Sequence, residues 1–173
     1  MLYEKQNRAK AEVRDWIAGL DWGQTIVLTL TFPPSIAATR EGVEEQAAYF
    51  WNVVDKRIFG NRATYPKKAQ RCNRLNVIEP GRYRDNYHCH SLVEVPMSSS
   101  AKPKYQTVDD MIDLLESVWK KKMSFNLDKV QCSMDVEEVG DFDYWNRYIT
   151  KTITDKNTDA ICHRTTWLEG LVA

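Results

Sequence analysis

The sequence predicts an α+β domain in which an antiparallel sheet carries helices on one face. Segments of alternating polarity indicate four strands, segments with helical periodicity indicate four helices, and a Pro80-Gly81 turn joins two neighbouring strands as a hairpin. At 173 residues with 43% hydrophobic content, the chain is long enough to bury one core. We therefore expect a single domain over residues 1–173.

The four helices follow from the spacing of apolar residues. The first spans residues 4–20, and the second spans residues 40–59. Thr107-Val-Asp-Asp110 resembles a capping box that opens a third helix ending near Lys121, and Asp141 caps a fourth that runs to about Thr154.

The strands are predicted at residues 24–32, 73–79, 87–95 and 130–136. The first is the clearest, because threonines alternate with apolar residues along it and Pro33-Pro34 ends it. Its apolar face consists of Ile26, Leu28, Leu30 and Phe32.

Charge is balanced over the whole chain, with 24 basic and 24 acidic residues, but it is segregated locally. The segment from Lys56 to Arg84 contains nine basic residues and one acidic residue, Glu79. Such a stretch can bind phosphates locally, or it can be a solvated loop, and charge alone does not separate the two interpretations. The phosphate-binding candidates are Lys67, Lys68, Arg71 and Arg82.

Cysteine spacing and the N-terminal sequence indicate a cytoplasmic protein. Cys72, Cys89, Cys132 and Cys162 form no Cys-x-x-Cys pair and no zinc-finger spacing, so we interpret them as reduced thiols. The N-terminus has no apolar signal segment, and no apolar run approaches membrane-spanning length. We expect no membrane association.

The sequence Tyr87-His88-Cys89-His90 is the most informative for chemistry. On a strand, His88 and His90 lie on one face, where two imidazoles can bind one metal ion. Glu79 is the nearest upstream carboxylate. Strict alternation places it on the face of Leu75 and Val77, so we expect a bulge near Pro80 to redirect it. Two imidazoles and one carboxylate suit Mn²⁺ or Mg²⁺ and leave positions for phosphate oxygens.

A second cluster lies on the last predicted helix, where Tyr144, Tyr148 and Lys151 have the i, i+4, i+7 spacing of one face. Such a stripe is commonly an amphipathic boundary. A tyrosine costs about 4 kcal/mol to ionise at neutral pH, so a nucleophilic tyrosine requires help. A metal-polarised phosphate and a nearby lysine would supply that help.

Together these residues resemble the histidine–hydrophobic–histidine (HUH) endonuclease superfamily, specifically its rolling-circle replication initiators. Thr29-Leu-Thr-Phe32 resembles the first family motif, His88-Cys89-His90 the second, and Tyr148-Ile-Thr-Lys151 the third. The motifs span residues 25–154. Conjugative relaxases carry the tyrosine before the histidines, whereas here it follows them. Cysteine between the histidines is a mild departure from the pattern.

The resemblance implies an RRM-like (ferredoxin-like) five-stranded antiparallel sheet with the metal site on its open face. It implies that Tyr148 attacks single-stranded or hairpin origin DNA, leaving a 5′-phosphotyrosine link and a free 3′-hydroxyl that primes replication of a plasmid or virus. Tyr144 would be either a second nucleophile, as in two-tyrosine phage initiators, or a packing residue. The basic residues above would border the DNA. The sequence has no nucleotide-binding phosphate loop, so any helicase would lie in another protein or beyond the end of this sequence.

Three other functions remain open at this point. A single-tyrosine HUH transposase would share the chemistry and differ in forming swapped dimers. A non-catalytic single-stranded nucleic-acid binder would expose strand aromatics, for which Tyr83 and Tyr87 are the candidates near the hairpin. A two-histidine phosphoesterase needs two His-x-Thr/Ser steps, and the sequence has one, His163-Arg-Thr165.

Overall fold

The computed structural model of the chain describes residues 2–64, 69–81, 86–123, 133–154 and 157–169. Within them, five α-helices surround one four-stranded sheet. The helices are α1 (Leu2–Ala18), α2 (Pro34–Ala37), α3 (Arg40–Phe59), α4 (Val108–Val118) and α5 (Phe142–Ile149), and the strands are β1 (Thr25–Thr31), β2 (Arg74–Pro80), β3 (Tyr87–Glu94) and β4 (Ser133–Glu138).

The four predicted helices and four predicted strands are present and differ from the prediction at their ends, whereas the short helix α2 was not predicted. A π-helical turn at Trp119–Met123 prolongs α4, close to the predicted end at Lys121. The last helix ends at Ile149 instead of about Thr154, so Lys151 lies in the turn that follows it. The predicted start of β4, residues 130–132, falls outside the described residues. Within those residues, no helix combines the length and apolar character needed to cross a membrane.

The sheet is antiparallel throughout, with strand order β2-β3-β1-β4. Directly paired residues of neighbouring strands share a face, so the register shows which side chains lie side by side. One row across the sheet is Glu79, His88, Thr31 and Ser133, and the next is Val77, His90, Thr29 and Asp135.

The larger core lies on the face opposite the histidines. There the alternate residues of β1 that were predicted to be apolar, Ile26, Leu28 and Leu30, are buried against α3 and α4. The apolar residues whose spacing predicts α3 are all buried, with Phe50 and Trp51 in edge-on contact with each other. They are Val43, Ala47, Phe50, Trp51, Val54 and Ile58. Both packing partners are amphipathic helices, which explains why this face holds most of the buried side chains.

The prediction that helices cover one face is wrong. On the histidine face, Val27, Leu75 and Leu92 form a second apolar cluster with Ile17 of α1 and Ile149 of α5. Both faces of β2 therefore carry apolar residues, and the strand is buried along nearly all its length. Only part of the face that the resemblance implies to be open is uncovered, around the exposed Thr31, Ser133 and Asp135.

The expected fifth strand is not among the described residues. The outer edge of β2 instead pairs with the C-terminal segment through two isolated antiparallel bridges, Arg74 to Trp167 and Val77 to Ile161. Cys162 N–H also donates to the Asn76 carbonyl at 2.8 Å. A turn at residues 163–165 interrupts the pairing, which prevents a continuous strand, but the segment still satisfies part of the edge that a fifth strand would cover.

Candidate active site

Glu79, His88 and His90 meet at one end of the β2–β3 hairpin. Glu79 pairs directly with His88 in the strand register. Its Oε1 lies 3.1 Å from Nε2 of His88 and 2.8 Å from Nε2 of His90, and one ligand atom from each residue lies within 4.8 Å of the others. Glu79 and His90 are almost fully buried, whereas the His88 side chain is 22% exposed.

No bulge is needed to bring Glu79 to the histidines. The expectation of a bulge assumed that Leu75 and Val77 face the opposite side of the sheet from His88. The register instead pairs Val77 with His90 and Glu79 with His88, so simple alternation places the carboxylate correctly. The assumption failed because Leu75 and Val77 belong to the second cluster, on the same face as the metal candidates.

The protonation of the site favours metal binding. Burial alone would raise the pKa of Glu79, but hydrogen bonds from His88, His90 and Lys151 outweigh it and hold the pKa well below its usual range. Burial lowers the pKa of His90, so its neutral imidazole is favoured. An ionised carboxylate beside a neutral imidazole is the protonation state that metal ligands require.

Thr29 contacts the second ring nitrogen of His90. Its Oγ1 lies 2.9 Å from Nδ1, across the β1–β3 pairing that sets the two residues side by side. If Nε2 of His90 bound a metal ion, Nδ1–H would donate a hydrogen bond to this hydroxyl, which would fix the tautomer and the ring orientation. In the sequence analysis Thr29 belongs to the stretch that resembles the first family motif, but no role was predicted for it.

The chemistry of these donors fits a divalent ion. Oε2 of Glu79 is buried and has no hydrogen-bond partner among the described residues, and an unpaired carboxylate oxygen is costly unless a cation or water satisfies it. The described Glu79, His88 and His90 provide two nitrogens and a carboxylate. A set of this kind could hold a divalent metal ion.

Tyr148 and Lys151 lie against this cluster. The Tyr148 ring meets the His90 ring edge-on, with centroids 5.0 Å apart. Nζ of Lys151 is 3.6 Å from the centre of the Tyr148 ring and 2.5 Å from Oε1 of Glu79. Although Lys151 follows the helix end, its ammonium therefore lies between the Tyr148 ring and the Glu79 carboxylate.

Tyr144 is one helical turn before Tyr148 and farther from the metal candidates. Its ring stacks on the Tyr148 ring at 6.3 Å between centroids, with an angle of 18° between the planes. It also meets Trp145 edge-on at 5.6 Å. Tyr148 is thus the inner member of the pair and Tyr144 the outer one.

Helix α1 holds α5 in place. Arg14 donates through Nε to Thr150 Oγ1 at 2.9 Å, and Asn146 Nδ2 donates back to the Arg14 carbonyl at the same distance. Lys10 Nζ donates to the Lys151 carbonyl at 2.7 Å. Because these bonds anchor the end of α5 and the turn after it, they position Tyr148 and Lys151 relative to the sheet.

Of the four predicted phosphate-binding residues, the structure describes Arg71, and it does not lie at this site. Arg71 lies beyond the opposite end of β2 from Glu79, and its guanidinium donates to Asn52 at 2.8 Å and to Asp55 at 3.2 Å. It also lies over the Trp167 ring, 5.4 Å from its centre. Lys67, Lys68 and Arg82 lie outside the described residues.

Sequence reasoning missed a buried ion pair beside Arg71. Arg74 Nη1 lies 2.9 Å from Asp55 Oδ1, and both side chains are almost fully buried. Arg74 also donates through Nε to the Thr165 carbonyl at 2.8 Å, which ties α3, β2 and the C-terminal segment together. An arginine at the start of the buried strand β2 was the signal, because a buried guanidinium needs a carboxylate partner.

Comparisons with known proteins add little. No protein-family model and no curated protein matches the sequence. Among solved structures, the chain is similar to a hydrolase from Listeria innocua, with 13% identity over 74% of this chain and 68% of the other and a TM-score of 0.26. A similarity this weak carries no argument about fold or function.

Proposed function

We propose that the protein is a metal-dependent enzyme that nicks and rejoins single-stranded DNA through a covalent bond to Tyr148, as a replication initiator does at an origin. The observation that carries the proposal is the convergence of a tyrosine, a lysine and a candidate metal site. Lys151 contacts both the Tyr148 ring and Glu79, and Tyr148 contacts His90. A non-catalytic binder would have no use for this arrangement.

The residues have distinct roles in the proposed reaction. Glu79, His88 and His90 would bind a divalent ion, which when bound polarises the scissile phosphate. Tyr148 Oη forms a bond to phosphorus as the P–O3′ bond breaks. The tyrosine releases its proton to solvent, and the departing O3′ takes up a proton. The products are a 5′-phosphotyrosine and a free 3′-hydroxyl, and the reverse reaction rejoins the strand.

Lys151 would stabilise the charge that develops on the phosphate oxygens. Its side chain is 39% exposed, so the ammonium can approach both the buried carboxylate and a strand that lies over the site. A donor aimed at developing charge contributes more to the transition state than to the ground state. Tyr148 stays the main nucleophile in this proposal because it is the inner tyrosine.

Covalent capture tests the proposal directly. Labelled single-stranded or hairpin oligonucleotides, incubated with the protein and Mn²⁺, should give an adduct that resists SDS. Mass spectrometry of the digested adduct should place the DNA on Tyr148. Tyr148→Phe removes one hydroxyl and should eliminate the adduct, whereas Tyr144→Phe should nick normally.

Variants of the candidate metal ligands test whether the reaction needs the metal. His90→Ala and Glu79→Gln should each abolish Mn²⁺ binding in calorimetry together with adduct formation. Normal Mn²⁺ affinity in both variants would exclude this metal site. An adduct on a residue other than the two tyrosines would overturn the mechanism, and strand binding without any adduct would favour the non-catalytic alternative.

A further inference from the structure

Tyr144 presents an oriented aromatic surface to solvent. Its side chain is 56% exposed, whereas its aromatic neighbours Trp145 and Tyr148 are half-buried. Stacking on Tyr148 and the edge-on contact with Trp145 hold the ring in a defined orientation. A ring fixed before binding loses little conformational entropy when a flat ligand stacks on it.

We propose that Tyr144 is a stacking platform for a nucleobase that flanks the phosphate attacked by Tyr148. This inference rests on the proposed function and adds a binding subsite to it. Every base has a π-face, so such a platform holds a strand without selecting its sequence. Because Tyr144 continues the stack that Tyr148 begins, a base placed on it lies next to the reacting phosphate.

The charges around Tyr144 favour a base over a phosphate. Asp141 caps the helix through a bond from Tyr144 N–H, and Asp143 follows in the first turn with its side chain 80% exposed. These carboxylates repel phosphate oxygens but accept hydrogen bonds from base amino groups. Lys151 lies at the other end of the tyrosine pair. The site therefore separates an aromatic end for the base from a cationic end for the phosphate.

The aromatic setting distinguishes this role from that of a second nucleophile. Tyr148 meets the His90 ring and the Lys151 ammonium, whereas the ring contacts of Tyr144 among the described residues are to Trp145 and Tyr148. A nucleophile acts through its hydroxyl, and a platform acts through its ring. The substitution Tyr144→Phe keeps the ring and removes the hydroxyl.

Equilibrium binding to two strands of equal length tests the platform. One is a fluorescein-labelled thymidine homopolymer, and the other is the same sugar-phosphate backbone without bases. Tyr144→Leu should weaken binding to the thymidine strand by about tenfold, the order expected for one stacked base, and leave binding to the abasic strand unchanged. Tyr144→Phe should bind both strands as the wild type does. Tyr49→Leu, at another exposed aromatic on α3, is the matched control and should change neither affinity.

Nicking assays then locate the base and separate this inference from the proposed function. In an oligonucleotide that the protein cleaves, removing one base beside the nick should weaken binding of the wild type and have no further effect in Tyr144→Leu. Wild-type affinity of Tyr144→Leu for thymidine strands would overturn the platform, as would equal losses in Tyr144→Leu and Tyr144→Phe. A base-dependent loss in Tyr144→Leu without nicking by the wild type would contradict the proposed function and support the platform.

Discussion

Thr29 Oγ1 and His90 Nδ1 lie 2.9 Å apart on neighbouring strands, at positions that the β1–β3 register pairs directly. The other ring nitrogen of His90 points to Glu79. Both nitrogens of this buried imidazole are therefore committed, one to the metal candidates and one to a hydroxyl that orients the ring.

Removing the Thr29 hydroxyl should weaken metal binding without unfolding the protein. Partners of metal-bound histidines are typically worth about 10- to 100-fold in affinity, so we expect a loss of that order for Mn²⁺ in Thr29→Val. Thr31→Val is the control, because Thr31 shares the strand and the face but is exposed. Calorimetry that finds equal Mn²⁺ affinities for the two variants would contradict the orienting role.

Replacing Lys151 by Ala should slow nicking without weakening metal binding. Loss of one donor aimed at developing charge commonly lowers a rate by about 100- to 1000-fold. The ammonium contacts Glu79, so its removal also relieves repulsion with a bound cation, and Mn²⁺ affinity should not fall. Arg147→Ala removes an exposed cation of α5 that pairs with Asp143 and should nick normally. An unchanged single-turnover nicking rate in Lys151→Ala would contradict a role for Lys151 in the reaction.

The basic stretch should divide into two functional groups. Lys67 and Lys68, predicted from the sequence to bind phosphates, should each lower the salt dependence of single-strand affinity when changed to Ala. The slope should change by about 0.7 for each phosphate that the variant no longer neutralises. Arg71→Ala should instead lower the melting temperature and leave the slope unchanged, because its guanidinium is bound to Asn52 and Asp55. An unchanged slope in Lys67→Ala and Lys68→Ala would contradict phosphate binding by these lysines and favour the interpretation of the basic stretch as a solvated loop.

Asp55→Ala should be strongly destabilising. It leaves the guanidinium of Arg74 buried without its carboxylate, and breaking a buried ion pair in this way typically costs about 3–5 kcal/mol. Glu12→Ala removes the partner of Arg8 in an exposed pair and should cost less than about 1 kcal/mol. Urea unfolding monitored by tryptophan fluorescence compares the two, and similar midpoints would contradict a structural role for the buried pair.

The pKa of Cys89 predicts a loss of stability at high pH. Burial raises it from an ordinary value of 9.0 to about 12. Since the thiol ionises more readily in the unfolded chain, its contribution to stability is complete below pH 9 and is lost as the pH rises from 9 to 12. The free energy of unfolding should fall more steeply over this range in the wild type than in Cys89→Ala. Parallel pH profiles would show that the Cys89 thiol does not contribute.

Much of the fold could be predicted because periodicity reports burial. The apolar stripe of α3 and the apolar face of β1 are buried as predicted, although the opposite face of β1 also carries the buried Val27. The helices on both faces of the sheet could not be predicted from β2. A strand with apolar residues on both faces does not indicate which face holds a partner, and this led to the wrong expectation for Glu79.

The candidate site could be predicted only as residue types and spacing. His88, His90, Glu79, Tyr148 and Lys151 were named from the sequence, and the structure brings them together. Their mutual geometry depends on strand register and on how α1 anchors α5, which a local pattern does not contain. The buried Asp55 was missed for a related reason, since a single charged residue on a helix normally lies in solvent.

All three candidate metal ligands lie on the β2–β3 hairpin, so binding of an ion would depend on how the two strands pair. A slip of one residue between β2 and β3 would carry Glu79 to the other face and leave the two imidazoles without a carboxylate. A divalent ion would therefore stabilise only the correctly aligned hairpin, by an amount that grows with its free concentration relative to Kd. In the proposed enzyme, the catalytic ion would then also favour the correct alignment of the two strands that bind it.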